Sequence, residues 1–130
     1  MYSFENVKIL VVDDEELLRE ILVETFSMHG AAVDSAKGGN EALAKLQEKD
    51  YDVLISDVRM PDGDGLTLVS KLKSLNKTDI KVFICSAYND MTEKKMQDLN
   101  ILKVFNKPFD LEDLIKEVFD FFNTNSKSTH

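Results

Sequence analysis

Residues 50–65, DYDVLISDVRMPDGDG, carry the signal that decides the fold of this 130-residue chain. The apolar run VLIS is typical of a buried strand, and an acid, Asp57, follows it directly. A loop with one proline, two glycines and two more acids comes next. A carboxylate at the end of a core strand is unfavourable unless another group pairs with it. The stretch therefore predicts a strand that presents Asp57 to a polar partner.

Apolar runs alternate with segments of helical period along the rest of the chain. The predicted strands cover residues 8–12, 31–36, 51–56, 80–87 and 101–105. The predicted helices cover residues 14–29, 38–50, 66–75, 89–99 and 110–122, with Asn40 and Asp110 as expected N-caps. This alternation is typical of βαβ units. The expected fold class is α/β, a doubly wound, flavodoxin-like parallel sheet of five strands in the order 2-1-3-4-5 with five helices.

Composition narrows the classes of function. The net charge of -8 argues against a nucleic-acid-binding face and against binding to anionic lipid. No apolar run is long enough to span a membrane, and the first residues do not read as a signal peptide. The single cysteine, Cys85, is expected to be a buried, inert thiol. We expect a cytoplasmic protein with one domain over residues 1–123 and a polar, disordered tail over residues 124–130.

Polar side chains stand where the predicted strands end. Asp13 and Asp14 follow the first strand and Asp57 follows the third, whereas Ser86 and Lys107 lie at the ends of the fourth and fifth. The carboxyl ends of parallel strands meet at one edge of such a sheet, where ligands bind. Two carboxylates ~4 Å apart repel by about 4 kcal/mol at an effective dielectric constant of ~20. A divalent cation relieves that repulsion, and oxygen ligands indicate Mg²⁺, with Mn²⁺ as an alternative.

The remaining groups at this edge suit phosphate. A lysine provides a point charge for a phosphoryl group, and phosphoryl transfer depends mainly on positioning and charge neutralisation. Neither histidine, His29 or His130, is near the predicted site in sequence, so no serine or cysteine there has an evident base. A carboxylate is therefore the best candidate nucleophile, and Asp57 would form an acyl phosphate.

Four segments resemble the receiver domain of two-component response regulators. They are ILVVDDEE at 9–16, YDVLISDVRMPDGDGL at 51–66, FICSAY at 83–88 and FNKPFD at 105–110. The resemblance extends over nearly the whole chain. It implies a module that catalyses only its own phosphorylation and slow dephosphorylation, and is not otherwise an enzyme.

The resemblance also implies a partner and a metal site. Asp57 would accept a phosphoryl group from a sensor histidine kinase or a histidine phosphotransfer protein. Asp14 and Asp57 would bind Mg²⁺ directly, Asp13 would act mainly through water, and the backbone carbonyl of Arg59 would be a further ligand. An unknown downstream protein would read the phosphorylated state, and the module would be a monomer or a phosphorylation-dependent dimer.

Further residues would carry the switch. The resemblance makes Ser86 the switch hydroxyl, followed by Ala87 and Tyr88, and makes Lys107 the partner of the phosphoryl group. The peptide bond between Lys107 and Pro108 is expected to be cis.

The sequence departs from the family pattern three residues before the lysine. Many receivers have an aromatic residue there, whereas this chain has Val104. Phe105 is adjacent, but successive strand side chains point to opposite faces, so it could substitute only with a bulge or register shift. Arg59 and Tyr88 are bulky at positions that flank the path of the attacking water in this family. Slow self-dephosphorylation is therefore expected.

Two other interpretations remain open from the sequence. One is an Mg²⁺-dependent phosphohydrolase with an aspartyl nucleophile, which usually has a second acid two residues further on. Asp57 is followed there by Arg59, whereas Asp13 is followed by Glu15, a partial match. The other is a receiver fold that binds partners without being phosphorylated.

Overall fold

The computed structural model describes residues 2–87 and 91–128, with side chains up to residue 122. Tyr88 and His130 lie outside the described residues. The elements are β1 Lys8–Val12, α1 Glu16–Met28, β2 Ala32–Ala36, α2 Gly39–Glu48, β3 Val53–Asp57, α3 Gly65–Ser74, β4 Lys81–Ser86, α4 Glu93–Asp98, β5 Ile101–Asn106 and α5 Leu111–Ser128. The strands form one parallel sheet in the order β2-β1-β3-β4-β5. The predicted fold class, strand order and helix count are confirmed.

Alternation along the central strands explains the layers. In β1, Ile9 and Val11 face a core built with α1 and α5, whereas Leu10 and Val12 face a second core built with α2 and α3. All five residues of β3 are buried, as expected of a strand covered on both faces. Asp57 is the last of these, so the strand places its carboxyl group at the carboxyl edge of the sheet.

The helix boundaries confirm one expected N-cap and correct the other. Asp110 accepts hydrogen bonds from the backbone N–H groups of Glu112 at 2.8 Å and Asp113 at 3.3 Å, as expected of an N-cap. The prediction for Asn40 is wrong because α2 already begins at Gly39 and has no side-chain cap of its own. Asn40 instead donates from its backbone to the carbonyl of Asp62 at 2.9 Å. A contact with the β3–α3 loop thus satisfies this helix end.

Helices α4 and α5 differ most in length from the prediction. Helix α4 has six residues and none of them is buried, which agrees with the few apolar anchors of this segment. Helix α5 continues to Ser128, six residues beyond its expected end at residue 122. Residues 123–128 contain neither proline nor glycine, so nothing in this segment stops the helix. Among the described residues, no helix combines the length and apolarity that a bilayer crossing requires.

Strand β5 contains a β-bulge near its start. Val82 of β4 pairs with Ile101, but the next residue, Phe83, pairs with Lys103, so Leu102 is the extra residue. Beyond the bulge the pairing is regular, and Ser86 lies opposite Asn106. The bulge therefore sets which side chains of β5 face each core and brings the end of β5 level with the end of β4.

Candidate functional site

Three carboxylates meet at the carboxyl edge of the sheet. Asp13 follows β1, Asp14 comes next in the chain, and Asp57 ends β3. One carboxylate oxygen from each lies within 4.8 Å of the other two. Asp13 is fully buried and Asp57 is 8% exposed, whereas Asp14 is exposed. The structure thus brings together the three acids that the sequence singles out.

Lys107 pairs with this acidic cluster. Its ammonium Nζ lies 2.9 Å from Oδ2 of Asp13 and 2.9 Å from Oδ2 of Asp57, and its side chain is only 10% exposed. A third contact, of 3.3 Å, joins Nζ to Oε1 of Glu15. The ion pair with Lys107 explains how the fold accommodates the carboxylate of Asp57 at the end of a core strand.

Burial and neighbouring charges shift the pKa values of Asp57 and Lys107. Burial raises the pKa of Asp57, and the hydrogen bond and charge of Lys107 offset that rise only in part. The negative charge of Asp13 raises the pKa of Asp57 further. Burial lowers the pKa of Lys107, but the hydrogen bonds to Asp13 and Asp57 outweigh this effect and raise it above its ordinary value. The ammonium of Lys107 therefore stays charged, whereas the carboxylates of Asp13 and Asp57 still repel each other.

The backbone around Asp57 is tightly held. Its Oδ1 accepts a hydrogen bond from the N–H of Val58 at 2.7 Å, and its carbonyl accepts one from the hydroxyl of Ser56 at 2.8 Å. Gly65 begins α3 and packs directly on this carbonyl, since a Cβ built there would overlap the carbonyl oxygen of Asp57. Its N–H also donates to the carbonyl of Val58 at 2.8 Å. The second glycine of the GDG sequence is therefore required by close packing beneath Asp57.

The β1–α1 loop is fixed from two sides. Oδ1 of Asp13 accepts a hydrogen bond from the N–H of Glu15 at 2.9 Å. Arg19, on the first turns of α1, donates from Nη1 to the carbonyl of Asp13 at 2.8 Å. Sequence reasoning missed Arg19, because a basic residue on a helix does not reveal which loop it contacts. It also missed the contact of Glu15 with Lys107.

Ser86 and Lys107 are joined through the backbone. The N–H of Lys107 donates to the carbonyl of Ser86 at 2.8 Å, and Ser86 is fully buried. Ala87 and Pro108 lie beside Lys107 on the wall of a groove described below. The Lys107–Pro108 peptide bond is cis, as expected. Arg59 lies two residues beyond β3, and its side chain is exposed.

Val104 and Phe105 lie on opposite faces of the sheet. Val104 packs against the second core, with α2 and α3, whereas Phe105 is buried in the first core. The ring of Phe105 lies 6.3 Å from that of Phe83 and 6.3 Å from that of Phe109. Phe105 could act in place of an aromatic residue at position 104 only if β5 contained a bulge. A bulge does occur in β5, but the Phe105 side chain still lies in the first core. Phe105 therefore does not take the place of an aromatic residue at Val104.

An apolar groove of about 540 Å³ opens beside the acidic cluster. It runs between α1 and the loop that joins β5 to α5. The residues that line it are Glu15, Leu18, Ile21, Ala87, Lys107, Pro108, Phe109 and Leu111. Because Lys107 lines the groove and also contacts Asp13 and Asp57, the groove and the cluster are continuous.

The donor set of the cluster fits Mg²⁺. All three ligands are carboxylates, which are the hard oxygen donors that Mg²⁺ prefers. Their mutual repulsion is the kind that a divalent cation relieves. Cys85 lies in the neighbouring strand but is buried, and burial raises its pKa to about 12, so its thiol is protonated and is a poor metal ligand.

The strand order and the helices on both faces of the sheet are those of the flavodoxin-like fold of chemotaxis regulators. The family model of the response regulator receiver domain matches residues 9–119, and the chain belongs to this family.

Several relatives are similar along most of the chain. Sporulation initiation phosphotransferase F of Bacillus subtilis is 31% identical over 110 residues, which are 84% of this chain and 88% of that protein. Response regulator MprA of Mycobacterium bovis is 35% identical over 111 residues, 85% of this chain. The chain spans only 48% of the length of MprA.

Solved structures agree with these relatives. Response regulator TrrA of Thermotoga maritima, in complex with Mg²⁺ and BeF, has a TM-score of 0.76 at 32% identity, over 86% of this chain and 96% of that one. Chemotaxis response regulator CheY4 of Vibrio cholerae has a TM-score of 0.76 at 30% identity, over 86% and 95%.

Proposed function

We propose that this chain is a phosphorylation-dependent switch in which Asp57 accepts a phosphoryl group from a phosphohistidine. The observation that carries the proposal is the contact of Lys107 with both Asp57 and Asp13 at 2.9 Å, inside a cluster of three acids. Two relatives support it: one is named a phosphotransferase, and the structure of another holds Mg²⁺ and BeF. Arg59 stands where an aspartyl phosphohydrolase with Asp57 as nucleophile would have its second acid, which disfavours that alternative.

The transfer is a substitution at phosphorus. A carboxylate oxygen of Asp57 forms the new P–O bond, the P–N bond breaks, and the imidazole of the donor leaves with the electron pair. Lys107 donates a hydrogen bond to a phosphoryl oxygen and neutralises part of its charge. Asp14, Asp57 and the carbonyl of Arg59 would hold Mg²⁺, with Asp13 acting through water. When bound, Mg²⁺ supplies positive charge to the phosphoryl oxygens.

Ser86 is the proposed link from the phosphoryl group to the surface. Its hydroxyl would bind a phosphoryl oxygen, and the change would pass along β4 and β5 to a downstream protein. In many receivers an aromatic side chain three residues before the lysine moves together with the switch hydroxyl. In this chain that position is Val104, whose side chain is smaller. We therefore propose that the surface change is smaller here than in receivers with the aromatic residue.

The proposed phosphodonor is a cytoplasmic sensor histidine kinase or histidine phosphotransfer protein. A protein whose phosphohistidine reaches Asp57 must cover the mouth of the acidic cluster, and the apolar groove borders that mouth. Ile21 on α1 lines the groove and is 39% exposed. We place the donor on this groove, since burying it would stabilise the complex.

Substitution of Ile21 tests the donor surface. With a histidine-phosphorylated kinase that transfers to the wild type, Ile21→Lys should slow transfer roughly tenfold, as for the loss of a central interface contact. Labelling by acetyl phosphate should be unchanged, because this small donor needs no groove. Met28→Lys is the control, since Met28 is on the same helix, exposed, and outside the groove. Equal transfer to the wild type and Ile21→Lys would remove the groove from the donor surface.

The function itself is tested by mass. Incubation with acetyl phosphate and Mg²⁺ should add about 80 Da, the mass of one phosphoryl group, to the intact protein. Chelation of Mg²⁺ should prevent the addition, since the acids would then lack their cation. A protein that gains no mass under these conditions, or gains it equally well without Mg²⁺, contradicts the proposal.

A further inference from the structure

Glu15 is the third carboxylate on Lys107, and the proposed chemistry does not use it. A lysine ammonium has three N–H donors and no acceptor. In this structure the ammonium contacts three carboxylates, those of Asp13, Asp57 and Glu15. The donors of Lys107 are therefore all engaged by the protein's own acids.

The contact with Glu15 is the weakest of the three. It is 3.3 Å long and the Glu15 side chain is 62% exposed, whereas both aspartate contacts are 2.9 Å long and lie on buried groups. The backbone N–H of Glu15 is nevertheless tied to Oδ1 of Asp13 at 2.9 Å, which keeps the residue beside the cluster. Glu15 is thus held near the ammonium, but its carboxylate can leave without exposing a buried charge.

A phosphoryl group on Asp57 changes the demand on Lys107. Its oxygens need N–H donors and bring more negative charge than the carboxylate they replace. The ammonium can meet this demand by giving up its outermost partner. The exposed charge of Glu15 also opposes the phosphoryl group directly, although solvent screens this repulsion.

We propose that Glu15 is a positioning residue that clamps Lys107 in the unphosphorylated state and disfavours the phosphoryl-bound state. The inference rests on the proposed function, because it concerns the same lysine and the same phosphoryl group. Removing the carboxylate should leave Lys107 with one donor available to the phosphoryl oxygens. The contact between Glu15 and Lys107 thereby determines how strongly the protein stabilises a phosphoryl group on Asp57.

Glu16 provides a matched control. It is the next residue, an exposed acid in the first turn of α1, and its side chain makes no contact with Lys107. Glu16→Gln and Glu15→Gln each remove one negative charge at the start of α1, but only Glu15→Gln replaces an ionic contact with the ammonium by a weaker, neutral one. The comparison separates the clamp from a general effect of charge.

The experiment is a titration with beryllofluoride, a phosphoryl mimic, followed by amide NMR at saturating Mg²⁺ determined separately for each protein. Glu15→Gln should bind beryllofluoride about threefold more tightly than the wild type, the effect of one partly exposed ionic contact, and Glu16→Gln should match the wild type. Equal or weaker binding by Glu15→Gln overturns the clamp, as does equal tightening by Glu16→Gln. If the wild-type protein binds no beryllofluoride, both the proposed function and the clamp are wrong. If the wild type binds it but Glu15→Gln does not bind it more tightly, only the clamp is wrong.

Discussion

Substitution of Lys107 by methionine should destabilise the protein and make its stability depend on Mg²⁺. The Lys107 side chain is 10% exposed and its ammonium contacts two buried carboxylates at 2.9 Å, so the loss of the ammonium leaves both acids without a counter-charge. Breaking such a buried ion pair costs about 3–5 kcal/mol. We therefore expect Lys107→Met to lower the free energy of unfolding by about 3 kcal/mol at pH 7 in the presence of a chelator.

Added Mg²⁺ should recover most of this loss. A cation at 100 times its dissociation constant stabilises the folded state by about 2.7 kcal/mol, and it supplies the charge that the ammonium provided. Urea unfolding with chelator and with Mg²⁺ measures both effects. Lys116→Met is the control, since Lys116 pairs with Asp120 at the exposed surface and its loss should cost less than about 0.5 kcal/mol. A loss below about 1 kcal/mol for Lys107→Met, or one that Mg²⁺ leaves unchanged, refutes the reasoning.

Three more predictions follow from the same geometry. Burial raises the pKa of Asp57, so ionising this carboxyl group destabilises the folded protein once the pH rises above the unfolded pKa of about 3.9. In the absence of metal, Asp57→Asn should therefore raise the urea midpoint above that of the wild type at pH 7 but not at pH 3, and equal midpoints of the two proteins at pH 7 contradict this. Gly65→Ala should cost about 2–3 kcal/mol in urea unfolding, because its Cβ would meet the Asp57 carbonyl, whereas Ser70→Ala on the exposed side of α3 should change little. Arg59→Ala should shorten the lifetime of the phosphorylated protein severalfold by opening the path of water, and an unchanged half-life would remove Arg59 from that path.

Much of the site follows from where the strands end. Five apolar runs, separated by segments of helical period, define the sheet, and the topology then brings residues distant in sequence to one edge. Asp57 and Lys107 are 50 residues apart in the chain, yet their contact follows from this reasoning. The acids are recognisable because they interrupt apolar runs that would otherwise be buried.

Other features depend on contacts that the pattern does not encode. Whether Glu15 turns toward Lys107 or into solvent depends on its rotamer and on the position of another loop. The end of α2 is satisfied by Asp62, which approaches from the β3–α3 loop, so the nearby Asn40 was an incorrect choice of N-cap. The bulge at Leu102 is hidden because the residues around it have the apolar character of an ordinary strand.

The central claim is that Asp57 is the phosphoacceptor, and the most direct test locates the phosphoryl group. Borohydride reduces an aspartyl phosphate to homoserine, which marks the modified residue for peptide sequencing by mass spectrometry. After treatment with acetyl phosphate and Mg²⁺, we predict homoserine at position 57 of the wild-type protein. Homoserine at position 13 or 14 instead, or none at all, would contradict the account.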